Sequence, residues 1–492
     1  MTLKIYNSLS RNKDEFKPID APHVGVYVCG PTVYGHAHLG HAKSYISFDV
    51  VVRYLRYLGY NVSYIQNITD VGHLTDDADQ GEDKLGVAAR REHKHPMAIA
   101  EYYTRSYFAD MDQLNCVRPD ISPKASGHII EQIEMVKKLV DKGYAYEANG
   151  SVYFDVMKFA EYGKLSGRNV EEMISGVRVE VSPDKRNPVD FAVWKKAEPN
   201  HIMQWPSPWG MGYPGWHLEC SVMSMKYLGK TIDIHGGGLE NKFPHHECEI
   251  AQSEAANDAQ FVNYWMHNNM VTVDGQKMGK SLHNFINLKQ VFSGAHERLS
   301  RAYDPMAVRQ LVLNSHYRSP LDFSDAALHA AQSGYDKITV AVKAIRKAIT
   351  TAKEGDADIE IEKELQGCKE KFETAMNDDF NTSVALSVLF EMVKLSNRLI
   401  EDENVTRSTL IKVDDLFGLL GGDVLGIVQE VYPEQAGSDD QLVDELVKML
   451  IEQRTLARKN KDFATADAIR DKLNDAGIAL EDKPGQTDWR RK

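Results

Sequence analysis

Cysteine is scarce: the 492 residues contain five, Cys29, Cys116, Cys220, Cys248 and Cys368. They are odd in number and widely scattered, which argues against a disulfide framework. A reducing, cytoplasmic setting is expected, where a thiol is a metal ligand or a buried residue. Long apolar runs are also missing. With no run of eighteen apolar residues, neither a transmembrane helix nor a membrane partner is expected. The N-terminal MTLKIYNSLSRNKDEF is polar and has no signal-peptide core. Internal repeats and low-complexity tracts are absent. A net positive charge is absent too: 58 Lys/Arg stand against 71 Asp/Glu, a formal net charge of −13. That argues against nonspecific duplex binding but admits a nucleic-acid partner met by local basic patches. Residues 451–492, with ten Lys/Arg against eight Asp/Glu, are the relatively basic part of the chain. The apolar content of 42% suits substantial cores, and the length suits roughly two to four domains.

The periodicities that are present point to an α/β fold. VGVYVCGPTVY (24–34) reads as a buried strand ending in a Gly-Pro turn. A helix is expected from about His38 to Leu58, with Phe48, Val51, Val52, Leu55 and Leu58 on one face and Gly59 as the stop. NVSYIQNITDV alternates as a second strand, so the order predicts a parallel βαβ unit. TIDIHGGG (231–238) is another strand running into glycines. Between these halves lie helical patterns near 84–113 and 127–142, and a hairpin in YAYEANGSVYFDV closing at Asn149-Gly150. From 326 to 420 the pattern is almost wholly helical, with KEGDADIEIEKE as an acidic connector or helix start. Residues 421–440 read as a linker before one last helix.

Three constellations carry chemistry. HLGH places His38 and His41 on one face of a first helical turn, where free N–H groups and the positive helix end favour anions. Gly40 lets a ligand approach the backbone. The same four residues also suit a surface loop. KMGKS, after the hairpin-like MVTVDGQ, sets Lys277 and Lys280 three apart with Gly279 between, suited to a polyphosphate or to a solvated basic turn. The third lies in NKFPHHECEI. His245 and Glu249 are four apart after Pro244, so they share a helical face and can share an ion. His246 and Glu247 are expected to point elsewhere, and Cys248 stays a competitor. Cys29, at a strand end facing the switch crevice, and Cys220, in GWHLEC, are further donors. Together they offer the N, S and O ligands that zinc accepts. A helix cap with two small buried cysteines fits the same spacing.

The paired phosphate motifs resemble the HIGH and KMSKS signatures of class I aminoacyl-tRNA synthetases. With YVCGPTVYGHAHLGHAKSYISFDVVVRYL, NITDVGH, GWHLECS, DIHGGG, FPHHECEIAQS and DDFNT, nearly the whole chain is similar to the cysteinyl-tRNA synthetases. The resemblance implies a Rossmann-type parallel-sheet catalytic domain with a connective insertion, then an α-helical bundle and a small anticodon-binding domain. The implied boundaries are 1–120 and 216–290 for the catalytic halves and 121–215 for the insertion. They continue with 291–350 for a stem-contact region, 351–435 for the bundle and 445–492 for the anticodon domain.

The implied activity is ATP-dependent activation of L-cysteine to cysteinyl-adenylate and transfer to the 3′ end of tRNA(Cys). By resemblance one zinc ion is held by Cys29, Cys220, His245 and Glu249, with Cys248 outside the set. A soft metal–thiolate bond separates cysteine from serine where shape alone discriminates poorly. Trp216 and Thr69 correspond to the amino-acid pocket beside Cys29. His38, Gly40, His41, Glu240 and Lys280 correspond to the ATP site, where Mg²⁺ accompanies the nucleotide. His38, His41, Lys277 and Lys280 carry the catalytic roles. Arg458, Asp467 and Asp482 correspond to anticodon readers, with Phe463 or Trp489 able to stack on a base. No protein partner is evident, and a monomer is expected. The chain departs from the family pattern at Gly279 for a serine, Glu240 for an aspartate and Phe463 for a tryptophan. A cysteine ligase acting on an amino-sugar is the nearest rival, but the long basic-ended tail speaks against it. A noncatalytic tRNA-binding relative is a second rival, against which the intact signature residues speak.

Overall fold

In the computed structural model the described residues are 2–72, 83–175, 182–199, 201, 203–279, 282, 284–432, 438–483 and 486–491. They form two compact units, Met1–Val428 and Gln429–Lys492.

The first unit is built on a four-stranded parallel sheet. Its order is Val262–Asn268, Ile232–Gly238, His23–Val28, Asn61–Gln66. Val, Ile and Tyr dominate these strands, and all seven residues of Ile232–Gly238 are buried, as a sheet covered on both faces requires. The helix Leu39–Tyr57 carries the chain from His23–Val28 outward to Asn61–Gln66. The helix His245–Asn257 carries it from Ile232–Gly238 outward to the opposite edge. The two crossovers leave adjacent central strands in opposite directions, so a switch crevice opens between them. Cys29 stands at that crevice, its N–H donating to the Gly236 carbonyl at 2.9 Å.

Between the two halves stand helices Lys84–Glu92, Pro96–Gln113 and Ile129–Asp141 and a five-stranded antiparallel sheet. Its hairpin at Asn149-Gly150 has φ of 52° and 83°, a turn open to Asn-Gly because both residues tolerate the left-handed region. Four long helices follow: Asp325–Ile349, Ile359–Asn377, Thr382–Ile400 and Arg407–Leu416. KEGDADIEIEKE serves both expected roles, as connector up to the N-cap Asp358 and helix beyond it.

The start of the stretch 421–440, residues 421–428, departs from the expected linker. Phe417–Val424 is a wide π-helical turn, and Leu420, Val424, Leu425 and Ile427 are buried. Buried apolar side chains hold 421–428 in the first unit, while 433–437 lie outside the described residues and a helix begins at Ser438. The second unit has two helices, Ser438–Lys459 and Phe463–Asp475, and a hairpin of Ile478–Lys483 with Gln486–Arg491, not one last helix. Lys461 in the left-handed region (φ 63°) breaks the helical run, and Asp462 caps the new helix by accepting from Thr465 N. Trp489 donates its indole N–H to Asp444 at 3.0 Å. Among the described residues no helix is long and apolar enough to cross a membrane.

Candidate active site

The strand His23–Val28 ends in Cys29-Gly30-Pro31. A Cβ on Gly30 would sit 1.6 Å from the Asn67 carbonyl oxygen, so only glycine fits between the two strand ends. Cys220 comes from the helix Trp216–Leu228, and His245 and Glu249, one turn apart, come from the start of His245–Asn257. The ligand atoms of Cys29, Cys220, His245 and Glu249 all lie within 4.8 Å of one another. The two sulfurs are 4.0 Å apart, and His245 Nε2 is 3.1 Å from Glu249 Oε1. Tetrahedral zinc with Zn–S near 2.3 Å separates two thiolates by roughly 3.8 Å, close to the sulfur spacing here, so the donor set suits that ion. Burial pushes the Cys29 thiol up to about 11, pushes the Cys220 thiol well above its ordinary value, and raises the Glu249 carboxyl against the pull of His235. A cation bound among them reverses this and holds the ligands deprotonated.

His246 does not point elsewhere. Its Nε2 lies 3.2 Å from Cys29 Sγ, and Cys29, His235, His246 and Glu249 form a second set within 4.8 Å. The helix start is covered on all sides, with His245 through Ile250 buried, so neighbouring positions both meet donors. A ring chain continues from His246 Nδ1 to His267 Nε2 and from His267 Nδ1 to Ser8 Oγ, each at 2.8 Å. Glu247 does turn away and accepts from Ser166 N at 2.7 Å. Cys248 faces Tyr162 at 3.3 Å and belongs to neither set. His235 escaped the sequence reading. Its signal was a histidine in a wholly buried strand, just before the glycines.

His38 is the N-cap of Leu39–Tyr57, not a member of its first turn. Its ring accepts from Gly40 N at 3.1 Å, and His41 Nδ1 accepts from His38 N at 3.2 Å, a reciprocal capping box. Burial lowers the His41 imidazole to about 4, so the ring is neutral. Because Nδ1 accepts, Nε2 carries the proton and is a donor. The lysine-bearing hairpin turns at Asp274 and Gly275, with φ of 50° and 77°. Asn284 pins it by accepting from Gly279 N at 2.8 Å and donating to the Lys277 carbonyl at 3.0 Å. Lys277 is exposed, while Lys280 lies outside the described residues.

One cleft of about 530 Å³ serves both groups. Its wall includes Cys29, Cys220 and His245, the signature residues His38, Gly40 and His41, and also Thr69, Trp216 and Glu240. Trp216 stacks on the His245 ring at 4.3 Å. Thr69 donates to Glu219 and accepts from Asn67 Nδ2 at 3.1 Å. Both Glu219 oxygens are buried, and Oε2 has no partner. Arg458, Asp467 and Asp482 lie on the two helices and the hairpin of the second unit. The side chain of Asp482 is outside the description. Phe463 is 60% exposed there.

Three family models match in chain order. They are the tRNA synthetases class I (C) catalytic domain over 15–333, the DALR domain over 371–429 and the cysteinyl-tRNA ligase anticodon binding domain over 440–490. The chain is 54% identical over 499 residues to the cysteine–tRNA ligase of Chlorobaculum tepidum, covering 100% of this chain and 99% of that one. It is 50% identical over 496 residues to the Bacteroides fragilis cysteine–tRNA ligase, covering 99% of each. Among solved structures, Mycobacterium tuberculosis methionyl-tRNA synthetase bound by methionyl-adenylate superposes with a TM-score of 0.60 at 14% identity, over 83% of this chain and 92% of that one. The Agrobacterium radiobacter LeuRS–tRNA–LeuAMS complex gives 0.58 at 13% identity, over 84% and 85%. These last two likenesses speak to fold alone.

Proposed function

The chain belongs to the class I aminoacyl-tRNA synthetases and, within them, to the cysteine–tRNA ligases, and on that premise we propose how its residues divide the work. The reaction is activation of L-cysteine by ATP to cysteinyl-adenylate, followed by transfer to the 3′ end of tRNA(Cys) in the cytoplasm. The observation that carries this reading is the shared cleft, with a two-thiol donor set and a histidine-capped helix start on one wall.

Cys29, Cys220, His245 and Glu249 would hold one zinc ion. When bound, zinc supplies a soft Lewis acid that takes a thiolate far better than a serine hydroxyl. Trp216 and Thr69 wall the cysteine beside Cys29. The cysteine carboxylate forms a bond to the α-phosphorus of Mg²⁺-bound ATP as the bond to pyrophosphate breaks. His38 and the Nε2–H of His41 meet the phosphates at the positive helix end. Lys277 and Lys280 neutralise the leaving pyrophosphate, and Gly40 and Glu240 make room for the nucleotide and meet its ribose. The terminal ribose hydroxyl of the tRNA then attacks the activated carbonyl and AMP departs. Arg458, Asp467 and Asp482 read unpaired anticodon bases. The catalytic halves are 1–120 and 216–290, around the insertion 121–215. The stem-contact region, bundle and anticodon domain follow at 291–350, 351–435 and 445–492, in a monomer.

ATP–pyrophosphate exchange with cysteine and with serine, followed by charging of tRNA(Cys), tests the reading. Exchange with cysteine and not serine, and charging, are expected. Exchange without charging would point to another acceptor, and no exchange would remove the enzyme reading.

A further inference from the structure

A second cavity, of about 520 Å³, lies behind the wall that carries the metal donors. Trp216 and His245 line the catalytic cleft, while their chain neighbours His217 and Pro244 line the second cavity. One layer of side chains therefore separates the two spaces. Across it His217 Nδ1 lies 3.0 Å from His245 Nδ1. The far wall comes from the segments between the two halves of the parallel sheet, with Tyr162, Met173 and Phe191. Cys248, which belongs to neither donor set, lines this space beside Tyr162. A concave, largely apolar site between two parts of a fold, with a few polar groups, is the usual form of a small-molecule site.

Rings and cations meet there. The Tyr162 and Phe191 rings lie 6.3 Å apart and 24° from parallel. The exposed Arg168 guanidinium covers the Phe243 ring at 4.1 Å. Arg11 Nη2 packs so close to Gly167 that a Cβ there would lie 2.0 Å from it. Lys242 precedes Phe243 in the chain, and burial, with Arg11 adding to it, lowers its ammonium. None of Arg11, Arg168 and Lys242 pairs with a carboxylate among the described residues, although the chain's net charge is −13. Two carboxylates also line the cavity. Asp190 is taken up by Val156 N at 3.1 Å, Asn187 N at 3.0 Å and the Tyr146 hydroxyl at 2.7 Å, and Glu172 is exposed. Neighbouring cations without counter-charges favour an anion, and a guanidinium held flat on a ring presents its N–H fork to a planar carboxylate or a phosphate.

We propose that this cavity binds a small molecule made of a planar aromatic ring and an anionic group: the ring seats among Tyr162, Phe191 and Phe243, and Arg168 holds the anion, with Arg11 and Lys242 attracting it. Its occupant acts on the cysteine site through His217, which touches His245. Binding stands on the cavity alone, and only the effect on cysteine rests on the aminoacylation reading of the cleft.

The zinc-loaded full chain is titrated calorimetrically with 1-naphthyl phosphate, 1-naphthoate, 1-naphthol and inorganic phosphate, with Mg²⁺–ATP present to keep the probes out of the nucleotide site. At least one of the two naphthyl anions is expected to bind one to one, about tenfold or more tighter than 1-naphthol and than inorganic phosphate. Arg168→Glu and the cavity-filling Met173→Trp should each weaken that binding about tenfold or more, while exchange measured without probe stays within about twofold of wild type. Without ATP, the bound probe should change the Kd for cysteine about fivefold or more, and cysteine should change the probe's Kd by the same factor. No binding by either anion, equal binding of 1-naphthol, or undiminished binding in either variant overturns the proposal. A Kd for cysteine that the bound probe leaves unchanged overturns the coupling. Protein that fails to exchange with cysteine overturns the aminoacylation reading instead, and the titrations still decide the cavity.

Discussion

His246 Nε2 lies 3.2 Å from Cys29 Sγ, although 217 positions separate them in the chain. The contact creates a choice between two donor sets that share Cys29 and Glu249. One adds Cys220 and His245, which stand on the cleft wall. The other adds His235 and His246, both fully buried. Two thiols suit zinc better than one, and only the first set meets the cleft with three of its members.

Cys220→Ser and His245→Asn should therefore strip zinc from the purified protein and raise the KM for cysteine. His246→Asn changes only a neighbour of the ligands, so it should weaken zinc by about 10–100-fold yet leave metal in the purified enzyme. Elemental analysis decides. Zinc lost from His246→Asn but kept in Cys220→Ser would move the ion to the other set.

His38 has two duties that substitution can separate. It caps Leu39–Tyr57 through its ring, and it faces the cleft. Asparagine keeps a capping acceptor, so His38→Asn should hold thermal stability while exchange falls about tenfold or more. His38→Ala should lose exchange and also about 1 kcal/mol of stability. Equal stability in the two variants would remove the capping role.

Arg309 is fully buried and donates to the carbonyls of Leu425 at 2.7 Å and Leu114 at 2.8 Å while pairing with Asp49. It joins the signature helix to the end of the helical bundle. Arg309→Met takes one cation from the buried Asp49 carboxylate, which keeps Arg53 Nε at 2.9 Å, and leaves the buried Leu425 and Leu114 carbonyls without this donor, so it should cost about 2–4 kcal/mol. Arg309→Lys should also destabilise, because a single ammonium cannot reach acceptors spread around a guanidinium fork. Urea unfolding of both variants measures this, and a change below about 1 kcal/mol would be the contrary result.

Asp379 and Phe380 are consecutive non-glycine residues in the left-handed region, with φ of 64° and 53°. The Asp379 carboxylate holds that turn by accepting from Tyr6 N at 2.8 Å, the Tyr317 hydroxyl at 2.7 Å and Arg318 Nε at 2.7 Å. Asp379→Ala should cost about 2–4 kcal/mol, since strain and three donors lose their acceptor together. Asp379→Asn keeps one oxygen and should cost less. Melting temperatures that rank the two in the opposite order would refute this account.

Burial pushes the Lys43 ammonium down to about 8 from its ordinary 10.5. The unfolded chain then binds more protons than the folded one between those values. Stability at this site is lowest below pH 8 and rises with pH across the window, by at most about 1.4 kcal/mol per pH unit. The unfolding free energy of wild type minus that of Lys43→Met should therefore increase from about pH 7.5 to about pH 9.5. A flat difference would mean that Lys43 stays protonated in the fold throughout.

Local signals were legible without coordinates. The helix Leu39–Tyr57, its βαβ crossover and the Asn149-Gly150 hairpin follow from period and turn chemistry, because each depends on neighbours within a few residues. The linker expected over 421–440 was misread at its start, 421–428, where glycines resemble a linker. Buried Leu420, Val424 and Ile427 hold that stretch in place, and no local pattern reveals what covers them.

The candidate metal site divides in the same way. Helical spacing by itself determined that His245 and Glu249 share a face, because that geometry is internal to one turn. Only the tertiary structure decided that Cys29 and Cys220 close around them and that His235 and His246 stand within reach. Those contacts depend on where a parallel sheet reverses its strand order and on what covers a buried helix start, and both are properties of packing between distant segments.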